Sequence, residues 1–336
     1  MSLAVFSSFE AGAIYALMAL GVYLSFRILD FPDLTVDGSF VTGASIAAIM
    51  IVNGFDPFLA TALALLAGFT AGALTGLLHT KGNINPLLAG ILMMIALYSI
   101  NLRIMGKSNV PLLNEETVMT KLTNWWQGLG LDSMLSSLPF VPKTWAILTV
   151  MTLLALAVKK LLDLFLKTDI GLALRATGDN EPMIRSFSGN TDTLKIVGLG
   201  ISNALVAFSG ALVAQYNGFS DAGMGIGIII IGLASVIIGE AVFGVKSIAR
   251  ATLAVIGGSI LYKLIVTLAL RVEFLETSDM KLITALIVIG ALVIPKIISQ
   301  RRLKAGKKKR LSMLKQNMGQ SMAKSGEQLV AAKSDF

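Results

Sequence analysis

The feature that most constrains this chain is a succession of apolar stretches, each close to the roughly 20 residues needed to cross a bilayer as a helix. They run at Val5 to Ile28, Val36 to Val52, Pro57 to Leu78, Pro86 to Met105, Thr144 to Phe165, Leu194 to Gln215, Gly225 to Phe243, Ala251 to Leu270 and Leu282 to Ile298. Only 14% of residues are charged and the mean hydropathy is +0.77, against about 25% charged in an ordinary soluble domain. The expected fold is therefore an all-α polytopic bundle of about nine membrane helices. The second stretch is short and starts among Asp30, Pro32, Asp33, Asp37 and Gly38. Its first turns are expected to be irregular or re-entrant, which leaves counts of eight to ten open. The first stretch has no basic residues ahead of it and no cleavage pattern, so it reads as a retained helix.

Soluble enzyme folds are excluded first. With no cysteine and a single histidine, His79, there is no material for disulfides, a zinc cluster or a His-based triad, and no metal site is expected. The net charge of +8 does not point to nucleic acid, because 11 of the 28 Lys and Arg lie between Lys296 and Lys333. The chain divides into a membrane unit, 1–300, and a basic tail, 301–336.

Lys and Arg in alternate loops set the orientation. One set of loops carries Arg27, Lys81, Lys159, Lys160, Lys167, Arg175, Arg185, Lys195, Lys246 and Arg250 before the tail is added; the other carries Arg103, Lys107, Lys121, Lys143, Arg271 and Lys281. The expectation is an external N-terminus and an internal C-terminus. The segment Lys107 to Lys143, with Trp125 and Trp126, is then external and reads as an interfacial amphipathic piece. An odd count also permits two inverted four-helix units offset by five spans. The break Phe31-Pro32-Asp33 with Asp37-Gly38 has a partial echo in Phe219-Ser220-Asp221 with Gly223 and Gly225.

The internal loop 167–193 carries the clearest local pattern. It reads as two short helices, the first closing at Gly178, with Asp179 or Asn180 as N-cap, Glu181 and Pro182 in the first turn, and Gly189 ending the second. Met183, Ile184 and Phe187 share its apolar face. Such a helix suits docking in a groove on a partner, or lying on lipid.

Gly171 to Gly189, followed by Lys195 and Ile201-Ser202-Asn203-Ala204-Leu205, resembles the cytoplasmic loop of permease subunits of ATP-binding cassette importers of the branched-chain amino acid type. The block Phe31-Pro32-Asp33-Leu34-Thr35-Val36-Asp37-Gly38-Ser39-Phe40 resembles a hallmark of the branch that takes up tryptophan and tyrosine. The resemblance covers about Ser7 to Pro295. It implies a homodimeric pore in the bacterial cytoplasmic membrane, cytoplasmic ATPase subunits that bind ATP and Mg, and an external substrate-binding protein or lipoprotein. Gly171, Arg175, Gly178, Asp179, Asn180, Glu181, Met183, Arg185, Phe187 and Gly189 then become the ATPase-coupling set, and no cofactor belongs to this chain.

The residues themselves agree with a non-catalytic role. No Gly-x4-Gly-Lys-Ser/Thr phosphate loop occurs in the sequence. Acids lie mostly at span ends, so the buried relay of a gradient-driven carrier is not evident, with Glu10, Asp37 and Glu240 nearest to the bilayer interior. Candidates for a translocation path are Glu10, Asp33, Asp37, Asn203, Gln215, Tyr216 and Lys263. Each has a plainer alternative: Lys263 pairs or snorkels outward, Glu10 pairs locally, Asp33 and Asp37 favour a helix N-terminus, and the amides bond neighbouring helices. Rival readings are a permease for a branched-chain amino acid or nucleoside, an ATPase-independent carrier, and a non-transporting scaffold.

Overall fold

The computed structural model describes residues 2–130 and 144–269, together with Asp132 and six positions between 282 and 293. Met1–Val288 forms one compact unit, and the architecture below is that of this unit; Ile289–Phe336 forms a second. The expected ninth span and the basic tail fall almost wholly outside the described residues.

Helix α1 (Ser2–Tyr23) continues into a π-helical turn, Leu24–Ile28, closed by Leu29 N donating to Leu24 O at 3.1 Å. A break follows, in which Asp30 adopts φ 51° and Phe31 N reaches back to Ser25 O. The irregularity expected in the first turns of the second span lies ahead of it instead: α2 (Thr35–Val52) is regular α-helix from its first residue, directly after this break. Local sequence sets the next two starts. Asp56 caps α3 (Pro57–Thr80) through Phe58 N, Asn85 caps α4 (Pro86–Met105) through Leu87 N, and Pro holds the first helical position in both.

Beyond α4 a short ribbon pairs β1 (Asn109–Pro111) antiparallel with β2 (Phe219–Asp221), Val110 opposite Ser220. Helix α5 (Val118–Gly128) is opened by a reciprocal Thr117 and Thr120 capping box. It buries Val118 and Met119 and leaves Trp125 exposed, the amphipathic piece anticipated there. The chain continues through α6 (Ala146–Phe165), α7 (Asp169–Asp179), α8 (Glu181–Ser186), α9 (Thr191–Asn217), α10 (Ile228–Phe243) and α11 (Ile248–Ala269).

Among the described residues, six helices are long and apolar enough to cross a membrane: α1 with its π turn, α2, α3, α4, α9 and α11. Helix α10 is as apolar but has 16 residues, and α6 has the length but carries Lys159, Lys160 and Asp163 in its second half. Asp163 is buried there, accepting from Lys159 Nζ and from Thr252 Oγ1 of α11. The protein is thus a multi-pass helical bundle.

Helix α9 is the central post, packing against α3, α2 and α1. Small residues make this possible, since lipid supplies no hydrophobic drive between helices. A Cβ on Gly43 would stand 1.9 Å from Ala207 O, and one on Gly72 would stand 2.1 Å from Leu199 O. Hydroxyls stitch the same crossings, with Ser202 donating to Gly21 O, Ser209 to Ile14 O and Ser259 of α11 to Gly12 O. Neighbour relations repeat when α1, α2 and α3 are exchanged with α9, α10 and α11: α1 packs on α11 as α9 packs on α3, and α10 meets α11 and α1 as α2 meets α3 and α9. At the start of α10, Ile228 and Ile229 are buried in the core, while Ile230 is exposed.

Candidate functional site

The loop between α6 and α9 is built from caps and ion pairs. Thr168 caps α7 through Gly171 N at 3.2 Å, and Gly171 lets that first turn fold back on the end of α6, where a Cβ would meet Phe165 O at 2.1 Å. Asn180 Oδ1 accepts from Met183 N at 3.1 Å and so caps α8, whose first turn holds Glu181 and Pro182. The exits differ from the sequence expectation. Helix α7 runs to Asp179, past Gly178, and α8 ends at Ser186 with the left-handed residue at Ser188 (φ 61°). Gly178 and Gly189 are used for close approach instead. A Cβ on Gly178 would stand 2.0 Å from Ile28 O, and one on Gly189 would stand 2.6 Å from Ile184 Cγ2.

Glu181 is the hub of the loop. Its carboxylate pairs with Lys195 Nζ at 2.8 Å and with Arg185 Nη2 at 3.0 Å, and accepts from Thr191 Oγ1 at 3.3 Å. Arg185 also reaches Asp192 at 3.0 Å and Thr191 Oγ1 at 2.9 Å. Lys195 contacts His79 Nε2 at 3.2 Å, while His79 Nδ1 meets Ile84 O at 2.8 Å. A carbonyl only accepts, so Nδ1 carries the proton and Nε2 is left to accept from Lys195. Partial burial works against charge on Glu181, but the hydrogen bond and charge of Lys195, with Arg185 behind them, prevail and hold its pKa below the usual 4.5. These groups line a polar cleft between the end of α3, α8 and the start of α9.

The apolar side of α8 is left uncovered, with Met183 45% and Phe187 77% exposed. Arg175 and Asp179 face a second cleft shared with Arg27 and Ile28 of the π turn. Arg27 in turn pairs with Glu240 on α10 at 2.9 Å. The loop therefore seats on the one π-helical turn among the described residues, next to the break that leads into α2.

The path candidates do not form one site; they fall into separate clusters. Glu10 and Tyr216 meet across α1 and α9, the phenol donating to Glu10 Oε2 at 3.0 Å. Asp33 is fully buried, accepting from Thr35 N and from Asn203 Nδ2 at 2.6 Å. Gln215 ties α9 to Val118 N of α5 and to Thr61 of α3. Lys263 lies over the Tyr15 ring, 3.4 Å from its centroid, a cation–π contact.

Asp37 has the most distinctive role. It accepts from Gly227 N at 3.0 Å and Ile229 N at 2.8 Å, so a residue in the first turn of α2 caps α10 from across the bundle. The sequence placed Asp37 at a helix start but gave no sign that its partner was another helix 190 residues away. The bracing roles of Lys195, His79 and Thr191 were also not read as such, although Lys195 belongs to the motif that carried the resemblance.

The family model described as "Branched-chain amino acid transport system / permease component" matches residues 4–294. A "Tyrosine transport system permease protein" of Clostridioides difficile (strain R20291) is 44% identical over 288 residues, 86% of this chain and 90% of that one. "Uncharacterized protein RP368" of Rickettsia prowazekii (strain Madrid E) is 35% identical over 237 residues, 70% of this chain and 77% of the relative. Among solved structures, a metal-chelate type ABC transporter in an inward-facing conformation aligns over 89% of this chain and 85% of its own, at 17% identity and a TM-score of 0.46. With nearly the whole membrane unit inside the family match, the chain belongs to the permease components of branched-chain amino acid transport systems.

Proposed function

We propose that this chain is the membrane-spanning subunit of an ATP-binding cassette importer, translocating an amino acid delivered by an external binding protein or lipoprotein. An aromatic amino acid is the favoured cargo, on the strength of the tyrosine-system relative and the Phe31 to Phe40 block. Two copies pair to form the pore in a bacterial cytoplasmic membrane, with the N-terminus outside and α7 and α8 inside. Cytoplasmic ATPase subunits supply ATP and Mg and do the chemistry of hydrolysis; this chain is a transport subunit rather than an enzyme. Residues 1–300 are the permease proper, and the tail 301–336 rests on anionic lipid, each surface charge contributing about 1 kcal/mol before screening.

The observation that carries this reading is the division of labour in the loop. The charges of α8 are spent within the loop, Glu181 on Arg185 and Lys195 and Arg185 also on Asp192, so what α8 offers outward is Met183 and Phe187. A braced helix with an uncovered apolar face suits insertion into a partner's groove. Because α7 seats on Ile28 through Gly178, a push on the loop is delivered to the π turn and the break before α2. Met183→Asp with Phe187→Asp leaves the brace untouched and should yield a permease that inserts normally but neither retains its ATPase on purification nor imports. Parental retention and uptake by this double variant would show that the loop merely lies on lipid.

A further inference from the structure

One pocket of the bundle is used by none of the foregoing. It has a volume of about 350 Å³ and lies between α2, α4 and the turn at 222–226, at the small end of the ~300–1,000 Å³ typical of ligand sites. Its walls are apolar, with Val41, Met94 and Ile226 among them, and the side chains of Asp37, Asn101 and Tyr98 interrupt them. Asp37 is held by the two backbone donors of α10 described above, one per carboxylate oxygen, which fixes the group while leaving each oxygen with further acceptor capacity.

The second polar group is Asn101. Its side chain is fully buried and Nδ2 donates to Gly38 O at 3.1 Å, the residue after Asp37. That bond fixes the amide orientation, since a carbonyl needs the NH2 side. Oδ1 is then left as a buried acceptor with no partner among the described residues. A buried polar atom without a partner is destabilising, and an acceptor in an otherwise apolar lining calls for a donor from outside the chain. Half-exposed Tyr98 adds a hydroxyl to the same lining.

We propose that this pocket is a transit subsite for a small solute carrying a primary ammonium group and an apolar or aromatic side chain. Both fixed groups, Asp37 and Asn101 Oδ1, are acceptors, so the site selects a donor-rich cationic end and not a carboxylate. Val41, Met94 and Ile226 take the side chain, and the carboxylate of an amino acid stays toward Tyr98. This rests on the amino-acid permease reading and adds to it the place where the ammonium is held.

The cysteine-free chain makes the test direct. Ile226 is 62% exposed and lines the pocket, so Ile226→Cys in the purified full-length permease should label with a thiol reagent, and L-tyrosine should slow that labelling. 3-(4-Hydroxyphenyl)propanoate, the same molecule without its ammonium, should protect far less. A Ser186→Cys control on α8 should label at one rate throughout. Adding Asn101→Leu should raise the L-tyrosine concentration for half-protection about tenfold, the scale of one lost hydrogen bond to a charged group. Should Asn101→Leu fail to fold, Ile226→Trp fills the pocket from its exposed side and must lower uptake of L-tyrosine by an importer that still assembles with its ATPase. Equal protection by the two ligands, or uptake unaffected by Ile226→Trp, overturns the subsite while the permease reading stands. If the parental complex imports no amino acid at all, it is the permease reading that fails, and the subsite with it.

Discussion

At the level of single residues, the loop shows how a charge can serve the fold of one chain and the reach of another. Glu181 bonds Lys195, Arg185 and Thr191, so Glu181→Gln or Lys195→Met should loosen α8 rather than remove a contact offered outward. Amide hydrogen exchange over 181–186 should rise about tenfold, the scale of one partly exposed charge-assisted bond. Protection unchanged in both variants would show the brace to be idle. The sign with pH follows from the lowered pKa of Glu181, which means the folded loop favours the carboxylate. Its contribution is complete above the ordinary value near 4.5 and is lost as pH falls through the lowered value, so exchange at α8, corrected for intrinsic rates, should climb only in acid. Asp37→Ala removes both side-chain bonds at the start of α10 and should cost about 1–2 kcal/mol, as cap losses do, visible as a lower Tm of the detergent-solubilised chain. Much of the loop was legible because Asn180, Glu181 and Pro182 are neighbours in sequence and act as a local cap. The pairing of His79 with Lys195 and of Asp37 with Gly227 was not, since a side chain's type tells nothing of which distant backbone will be folded against it.

At the level of elements, apolar length was the readable quantity, and it located the long helices α1 to α4, α9 and α11 within a few residues. The π turn at Leu24–Ile28 left no mark in composition, because an extra residue in a helical ladder changes hydrogen-bond register and not hydropathy. The short loop helices ended where tertiary contact dictated, with Gly178 and Gly189 spent on close approach. The same logic applies to the helix seams. Gly43 admits Ala207 O so closely that a side chain of any size must push α9 away from α2, and overpacking of this kind costs about 1–3 kcal/mol or more. Gly43→Val should therefore lower the Tm clearly. Gly128→Ala, at the end of α5 where an added Cβ meets nothing within 4 Å, should leave it unchanged. If the two variants melt alike, close approach at Gly43 is not what holds α9 to α2.

For the whole molecule, the five-span offset and the charge distribution make one argument. On the nine-span reading of the sequence, shifting by five spans reverses the direction of each helix, so the packing of α1 on α11 as α9 packs on α3 is what two halves of opposite orientation would give. Such an arrangement has no intrinsic preference for either orientation, and the preference has to come from the loops. Arg27, Lys81, Lys159, Lys160, Lys167, Arg175, Arg185 and Lys195 collect at the end that carries α7 and α8, while the β1 and β2 ribbon and α5 occupy loops with fewer basic residues. Positive charge is retained on the cytoplasmic side. The exposed residues Asn114 and Ser188 lie in loops on opposite sides of this division. Asn114→Cys should accordingly react with an impermeant maleimide added to intact cells, and Ser188→Cys only after the membrane is opened. Labelling of Ser188→Cys from outside would place α8 beyond the reach of any cytoplasmic ATPase, and the role given to Met183 and Phe187 would fall with it.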